Sequence, residues 1–221
     1  MSERDAGRRG PWRALALVAA ALLVVWEPGG SVAGGATDQV KGTVDQVLKI
    51  LNDPTLKGER KIKERRAKIR QVVLQRFGFA EMSKRSLGRH WNERTPQERT
   101  EFVGLYTDLL ERSYIDRVDG YSGEQVAYQG ETLDGNYSEV RSKILTKKSQ
   151  EVSIVYRLLM NGANWEVYDV IIEGVSLVNN YRTQFSKIIR TSSYEALVKK
   201  MQAKLEGEEA GEISAPKPKA K

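Results

Sequence analysis

The sequence predicts an α+β protein in which about six helices accompany a twisted antiparallel sheet of about four strands. Two observations carry this prediction. Apolar residues recur with the period of a helix up to about residue 114, and from about residue 124 they alternate with polar residues as in a strand. After residue 174 the helical period returns. Because short turns separate the later alternating segments, we expect the strands to form an antiparallel meander.

The composition excludes several kinds of catalytic and metal site. The 221 residues include no Cys and one His, so a thiol nucleophile, a disulfide framework and a thiolate metal site are ruled out. One His leaves no room for a His-rich metal centre, and it disfavours a Ser-His-Asp hydrolase, which would have to use that one residue. The net charge of +7 suits an anionic membrane surface or an acidic protein partner, or serves solubility alone.

Residues 1–33 have the pattern of a signal peptide. Four arginines precede an apolar run at 14–26, and Ser31 and Ala33 place small residues where a signal peptidase cleaves. A helix of that run spans about 20 Å, less than the roughly 30 Å of a bilayer core. Cleavage after Ala36 and a twin-arginine signal at Arg8 and Arg9 stay open. We therefore expect an exported protein that binds no nucleic acid.

The mature chain is predicted to be one domain over 34–206, followed by a disordered tail over 207–221 that lacks apolar periodicity. Helical stripes occupy 38–52, 62–77 and 79–87, and another runs from 177 to 188. Thr95 with Glu98, and Ser192 with Glu195, have the spacing of capping boxes that begin two further helices. The second helix carries a dense basic face, which is either solvated or in contact with a membrane or protein partner.

Strands are predicted at 126–128, 137–146, 151–160 and 165–172. The apolar faces of the second and third strands match only if the loop between them has an odd number of residues. An even number would place Ile154 beside Lys143. The turn residues Asn161 and Gly162 favour an even loop before the fourth strand. The even loop would turn Val167, Asp169 and Ile171 inward, whereas an odd loop would turn Tyr168, Val170 and Ile172 inward.

Asp169 is the candidate polar residue of this sheet. On an inward apolar face its carboxylate would need a partner, and Arg182 on the following helix is the candidate for a structural ion pair. The alternative is an enzyme in which Asp169 and Tyr156 act as a general acid–base pair, since desolvation raises the pKa of a carboxylate.

Several segments together resemble the MlaC family, the periplasmic phospholipid-binding component of the Mla lipid transport system, also called the toluene-tolerance auxiliary family. The matching segments are 77–82 (FGFAEM), 87–91 (LGRHW), 95–99 (TPQER) with Phe102, 164–178 (NWEVYDVIIEGVSLV) and 180–185 (NYRTQF). They occur in the family's order and cover roughly 37–205. Each segment alone is weakly specific, and their combination carries the resemblance.

The resemblance implies an NTF2-like cone, in which the sheet and helices enclose an apolar pocket for phospholipid acyl chains. It also implies a non-enzymatic carrier without cofactor or metal, an auxiliary component of an ABC transporter. Such a carrier shuttles lipid between an inner-membrane ABC transporter complex and an outer-membrane lipoprotein complex, and so serves outer-membrane lipid asymmetry. Transient contact with a membrane surface is also possible for it.

The residues expected to line the pocket are inferred from the apolar stripes and are not a family motif. They are Phe79, Met82, Leu87, Tyr106, Leu110, Tyr114, Val140, Ile144, Ile154, Tyr156, Leu158, Val167 and Ile171. Each could equally be an ordinary core residue, because periodicity does not separate a filled core from a cavity. A ligand-free periplasmic adaptor or chaperone with a filled interior is therefore a further alternative to the carrier and to the enzyme.

Overall fold

The structure, a computed structural model, describes residues 35–146, 150–207 and 213–215; the predicted signal peptide lies outside them. Across these residues the α+β class is confirmed. The helices are α1 (Ala36–Asn52), α2 (Ile62–Arg76), α3 (Phe79–Leu87), α4 (Pro96–Asp119), α5 (Leu177–Thr191) and α6 (Tyr194–Glu206), with single 3-10 turns at Pro54–Leu56, Glu59–Lys61 and Gly88–Trp91. The strands are β1 (Gln125–Asp134), β2 (Tyr137–Leu145), β3 (Glu151–Asn161), β4 (Asn164–Ile172) and β5 (Val175–Ser176).

The strands form one antiparallel sheet in the order β1-β2-β3-β4-β5. β1 extends well past the predicted 126–128, and β5 was not predicted. The outer half of β1 is exposed on both faces, so it carries no apolar alternation by which the sequence could reveal it. β5 has two residues, too few for a periodic pattern.

The register between β2 and β3 follows the apolar pattern. Ile154 lies opposite Ser142, and Tyr156 lies opposite Val140. The predicted odd loop is therefore confirmed, and Lys143 lies opposite Ser153 rather than Ile154. Matching the two apolar faces excludes a shift by one residue, because that shift would turn charged side chains inward.

A bulge in β4 combines the two alternatives that the sequence left open. The loop between β3 and β4 is even, as predicted, and Val167 pairs with Leu158. The register then shifts, so that Asp169 pairs with Arg157 and Val170 with Tyr156. Tyr168 is the extra residue of the bulge. As a result Val167 shares the inner face with Val170 and Ile172, whereas Ile171 does not, contrary to the even-loop prediction.

The predicted capping boxes have different outcomes. Thr95 accepts from the Glu98 backbone N–H at 3.2 Å, and the Glu98 carboxylate accepts from the Thr95 N–H at 2.7 Å. The second helix start lies one residue later than predicted, since Ser193 caps α6 through the Ala196 N–H. Ser192 ends α5 instead, because that helix continues to Thr191. Ser193 has the extended backbone of an N-cap residue.

Two apolar clusters form the core. One packs α3 and α4 against α5 and α6 around Phe102, Tyr106, Tyr181 and Phe185. The other packs α1 against the sheet around Val140, Leu158, Trp165 and Val167.

The described part of the tail, Ile213 to Ala215, departs from the prediction of disorder. Ile213 is 2% exposed and belongs to the first cluster. The backbone N–H and carbonyl of Ser214 bond the side-chain amide of Gln184 at 2.8 and 2.9 Å. A single buried isoleucine gives no periodic signal, so the sequence pattern missed this contact.

Candidate functional site

An apolar cavity of about 240 Å³ lies between the inner face of β3 and β4 and the helices α2, α3 and α4. Its volume is far above the roughly 10–15 Å³ that one water molecule needs. The wall is almost wholly apolar and is formed by Ile69, Arg70, Val73, Leu74, Phe77, Phe79, Met82, Thr107, Leu110, Glu111, Tyr114, Ile115, Val118, Ile154, Tyr156, Val170, Ile172 and Leu177.

The junction of α2 and α3 brings two aromatic rings to the cavity. The Gly78 N–H donates to the Val167 carbonyl at 3.0 Å, which fixes the junction against β4. The Phe77 and Phe79 rings stack with centroids 5.9 Å apart. A Cβ at buried Gly78 would lie 2.9 Å from a Glu166 carboxylate oxygen, so a larger residue there would displace the end of that side chain.

Ion pairs join α2 to α4 beside the cavity. Arg65 and Arg66 each contact Asp119 at 2.7 Å, and Arg66 also contacts Asp116 at 3.0 Å. Part of the basic face of α2 is therefore neutralised by α4 rather than solvated.

One further turn along α2, Arg70 bonds Asp108 at 2.7 Å and also pairs with Glu111. Arg70 and Glu111 are the charged residues of the cavity wall. Their side chains are 37% and 30% exposed, and neighbouring Leu74 is 46% exposed. The mouth of the cavity therefore lies at Arg70, Leu74 and Glu111, with charge confined to the rim.

Two tyrosines turn toward the interior of the cavity. The Tyr114 hydroxyl is buried and has no hydrogen-bond partner among the described residues. Tyrosine is neutral at physiological pH, and burial raises the pKa of Tyr114 and of Tyr156 further. The cavity interior thus contains neutral groups, with the charges at its rim.

Six of the thirteen predicted pocket residues lie on the cavity wall: Phe79, Met82, Leu110, Tyr114, Ile154 and Tyr156. The other seven lie outside it. Leu87 and Tyr106 are filled-core residues among the helices, and Val140, Leu158 and Val167 are buried between the sheet and α1. Ile144 packs at the edge of that second cluster. Ile171 lies on the opposite face, since the bulge reverses the alternation.

Sequence reasoning missed the contribution to the wall of Phe77 and of the α2 residues Ile69, Arg70, Val73 and Leu74. The apolar stripe of α2 was visible, and it could have indicated a wall. Its dense charge drew the interpretation toward a solvated face. The end of α2 is joined to β4 by Arg76, which donates to the Trp165 carbonyl at 2.8 Å, and by the Gly78 N–H; both contacts are with residues about 90 positions away in the chain.

Asp169 does not form the predicted ion pair with Arg182. The Asp169 side chain accepts from the Ser176 hydroxyl at 2.6 Å and from the Val178 backbone N–H at 3.1 Å. The carboxylate therefore caps the start of α5, a favourable place for a negative charge. The bulge at Tyr168 turns Asp169 away from the apolar face and toward this helix end.

A second cavity, of about 330 Å³, is polar and includes Asp169 in its wall. Arg85, Arg157 and Arg182 also line it. Arg85 stacks over the Tyr168 ring at 4.0 Å and bonds Glu81, while Arg157 bonds Glu139 at 2.7 Å. Tyr156 lines the apolar cavity and not this one, so the two members of the hypothetical acid–base pair face different spaces.

Over residues 35–146, 150–207 and 213–215, no group of three or more His, Asp or Glu side chains is arranged to hold a metal ion. Within the same residues no helix is both long and apolar enough to span a bilayer.

An α+β fold with an apolar cavity between its sheet and helices, whose charged wall residues Arg70 and Glu111 are partly exposed, defines a binding protein for an apolar or amphipathic ligand. The family model described as MlaC protein matches residues 41–203. The chain belongs to the MlaC family.

Two individual proteins extend the comparison. The intermembrane phospholipid transport system binding protein MlaC of Haemophilus influenzae is 23% identical over 121 residues, which are 52% of this chain and 56% of that protein. The chain thus aligns with little more than half the length of that relative. The solved phospholipid-binding protein of Ralstonia solanacearum, in complex with a phospholipid, is 26% identical with a TM-score of 0.70. That alignment covers 79% of this chain and 98% of the solved chain.

Proposed function

We propose that this protein is a periplasmic phospholipid carrier that holds acyl chains in the apolar cavity and shuttles lipid between membrane transport complexes. The observation that carries the proposal is the distribution of polarity in that cavity. Its interior is apolar, and its two charged residues, Arg70 and Glu111, are partly exposed at the mouth. An amphipathic molecule with an apolar tail and a polar head matches this arrangement.

The physical driving force is burial of hydrocarbon. Each methylene moved from water into the cavity contributes about 0.8 kcal/mol, so ten of them contribute about 8 kcal/mol. The affinity for lipid can therefore arise without specific polar recognition of the head. A carrier must also release its lipid. An interior with few polar groups favours release, because few hydrogen bonds have to break when the lipid leaves.

The comparisons support the cargo and the setting. The solved relative from Ralstonia solanacearum holds a phospholipid, and the Haemophilus influenzae relative is named for intermembrane phospholipid transport. The expected partners are an inner-membrane ABC transporter complex and an outer-membrane lipoprotein complex. Export by the predicted signal peptide would place the protein between those two membranes.

A hydrolytic or acid–base enzyme fits the geometry less well. Asp169 is 4% exposed, and its carboxylate is engaged with Ser176 and the Val178 N–H. Tyr156 lies in the other cavity. We therefore assign Asp169 a structural role and include no catalytic residue in the proposal.

The direct experiment is lipid extraction from the full chain, expressed with its leader and purified without detergent from a bacterial host. We expect organic extraction and mass spectrometry to find about one phospholipid per protein molecule. A purified, folded protein with no stoichiometric phospholipid would overturn the proposal.

A pair of variants tests whether the apolar cavity is the lipid site. Val73→Trp places an indole into the cavity wall, and the matched Gln71→Trp places one on the exposed side of the same helix. We expect Val73→Trp to lose most of the bound phospholipid and Gln71→Trp to keep it, with equal circular dichroism spectra. Equal lipid content in the two variants would exclude this cavity as the site.

A further inference from the structure

The polar cavity brings together three arginines from three elements. Arg85 belongs to α3, Arg157 to β3 and Arg182 to α5, and all three line this space of about 330 Å³. Arg157 follows Tyr156, which lines the apolar cavity. Because successive residues of a strand face opposite sides of the sheet, the polar cavity lies on the other face of β3 and is separate from the proposed acyl-chain site.

Two of these arginines are held by one carboxylate each, through Nε alone. Arg85 Nε donates to Glu81 at 2.8 Å, and Arg157 Nε donates to Glu139 at 2.7 Å. Among the residues that the structure describes, neither arginine forms a further hydrogen bond. Each therefore keeps the four N–H donors of its terminal Nη groups. The two side chains are 34% and 40% exposed, so a ligand in the cavity can reach these donors.

Arg182 has no hydrogen-bond or carboxylate partner within the described part of the chain. Its guanidinium lies beside Gly88 at the end of α3, where a Cβ would be 3.0 Å from Nε. Asp169 lines the same cavity, but its carboxylate is 4% exposed and accepts from the Ser176 hydroxyl and the Val178 N–H. All the N–H donors of Arg182 are thus available to a ligand.

The neighbouring acidic side chains do not outnumber the cations. The three arginines, together with Lys84 at 3.8 Å from Glu81, lie near the carboxylates of Glu81, Glu139 and Asp169. Three guanidinium groups around one space repel each other, and a bound anion would relieve that repulsion. The unused Nη donors and the unpaired Arg182 therefore mark the cavity as a place for an anion.

We propose that the polar cavity binds an oxyanion of the phosphate class, either inorganic phosphate or the phosphate of a lipid headgroup at a membrane surface. A guanidinium matches phosphate oxygens with two parallel N–H donors. Asn179 in the first turn of α5 also lines the cavity, and a helix start favours a negative charge. This site goes beyond the carrier function, because it does not require lipid in the apolar cavity.

Calorimetric titration of the purified protein with inorganic phosphate tests the site. Protein and titrant are kept at equal pH and ionic strength, with chloride as the balancing anion, so that general salt effects cancel. We expect saturable binding of one phosphate per chain with a dissociation constant of about 1 mM, as befits a partly exposed site.

Two variants and a matched control locate the ion. Arg182→Gln and Arg157→Gln should each weaken phosphate binding about tenfold, because each removes one charge-assisted pair. Arg190→Gln removes an exposed arginine of the same helix α5 that does not line the cavity, and it should leave the dissociation constant unchanged. Circular dichroism spectra of all three should equal that of the parent, since Arg182 and Arg190 lie exposed on α5.

Flotation with phosphatidylglycerol vesicles distinguishes the two sources of phosphate. If a headgroup is the ligand, Arg182→Gln lowers the vesicle-bound fraction several-fold relative to Arg190→Gln, and added inorganic phosphate releases the parent. If the free ion is the ligand, the two variants bind vesicles equally while phosphate still binds the parent.

The proposal is wrong if the parent shows no saturable phosphate binding. Equal weakening in Arg182→Gln and Arg190→Gln would also overturn it, since the effect would then be one of overall charge. A loss in Arg182→Gln without a loss in Arg157→Gln would place the ion outside the cavity and overturn it too. None of these results bears on lipid bound in the apolar cavity, which the extraction experiment tests separately.

Discussion

The carboxylate of Asp169 in β4 accepts a hydrogen bond from the Ser176 hydroxyl, 2.6 Å away at the N-cap of α5. Its second oxygen accepts from the Val178 N–H. The pair joins the end of the sheet to the helix that carries Tyr181 and Phe185 into the core. The buried Asp169 carboxylate therefore connects β4 to the start of α5.

We expect Asp169→Ala to lower the free energy of unfolding by about 2–4 kcal/mol, because it removes two bonds to a buried charged acceptor and leaves the Val178 N–H unsatisfied. Urea unfolding followed by circular dichroism measures the change. The control Asp45→Asn alters an exposed carboxylate of α1 and should change the value by less than about 0.5 kcal/mol. A loss of lipid binding without destabilisation by Asp169→Ala would contradict the structural role.

Two buried tyrosines should respond differently to loss of the hydroxyl. Tyr181 bonds Ser113 at 3.2 Å, so Tyr181→Phe should cost about 1 kcal/mol of stability. The Tyr114 hydroxyl has no partner among the described residues, so Tyr114→Phe should be neutral or slightly stabilising in the delipidated protein. Chemical denaturation of both variants decides the point, and a larger cost at Tyr114 than at Tyr181 would refute the assignment.

Ile213 should contribute to stability although it lies in the predicted tail. Ile213→Ala removes a side chain that is 2% exposed, and we expect a loss of about 2 kcal/mol. Ser214→Ala is the control, because Ser214 uses its backbone to bond Gln184. If both variants unfold at the parent urea concentration, residue 213 does not pack against the core in solution.

The protein should lose stability as the pH rises above 10. Burial raises the pKa of Tyr194 to about 12, and burial also raises the pKa of Tyr106 and Tyr181. Unfolded tyrosines ionise near pH 10. Between about pH 10 and 12 the unfolded state therefore binds fewer protons than the folded state, and the free energy of unfolding falls. Tyrosinate absorbance should appear at higher pH in the native protein than in urea, and coincident titrations would contradict these shifts.

Much of the fold could be predicted because its signals are local. The Thr95 capping box begins α4 where the sequence places it, and α3 begins and ends at the predicted Phe79 and Leu87. The β2–β3 register also agrees with the odd loop that the sequence predicts, since an even loop would pair apolar with charged side chains. β5 and the contact of Ile213 could not be predicted, because each is too short to have a period.

The candidate site was predicted only in part, for a physical reason. Periodicity identifies which side chains face inward, and six of the predicted residues do lie on the cavity wall. It does not report whether an inward side chain meets a neighbour or an empty space. Leu87 and Val140 face inward as expected, yet they are in contact with filled core.

The sequence by itself determined the element types, the antiparallel order of the main strands and the family likeness, since all of these depend on local pattern. The tertiary structure alone decided where the cavity lies and what closes it. The bulge at Tyr168 determines which β4 residues face inward. Ion pairs between residues distant in the chain connect α2 to α4. The periodicity of apolar residues reveals neither the bulge nor the ion pairs. Both depend on contacts between segments that are distant in the chain and on the free-energy cost of burying charge.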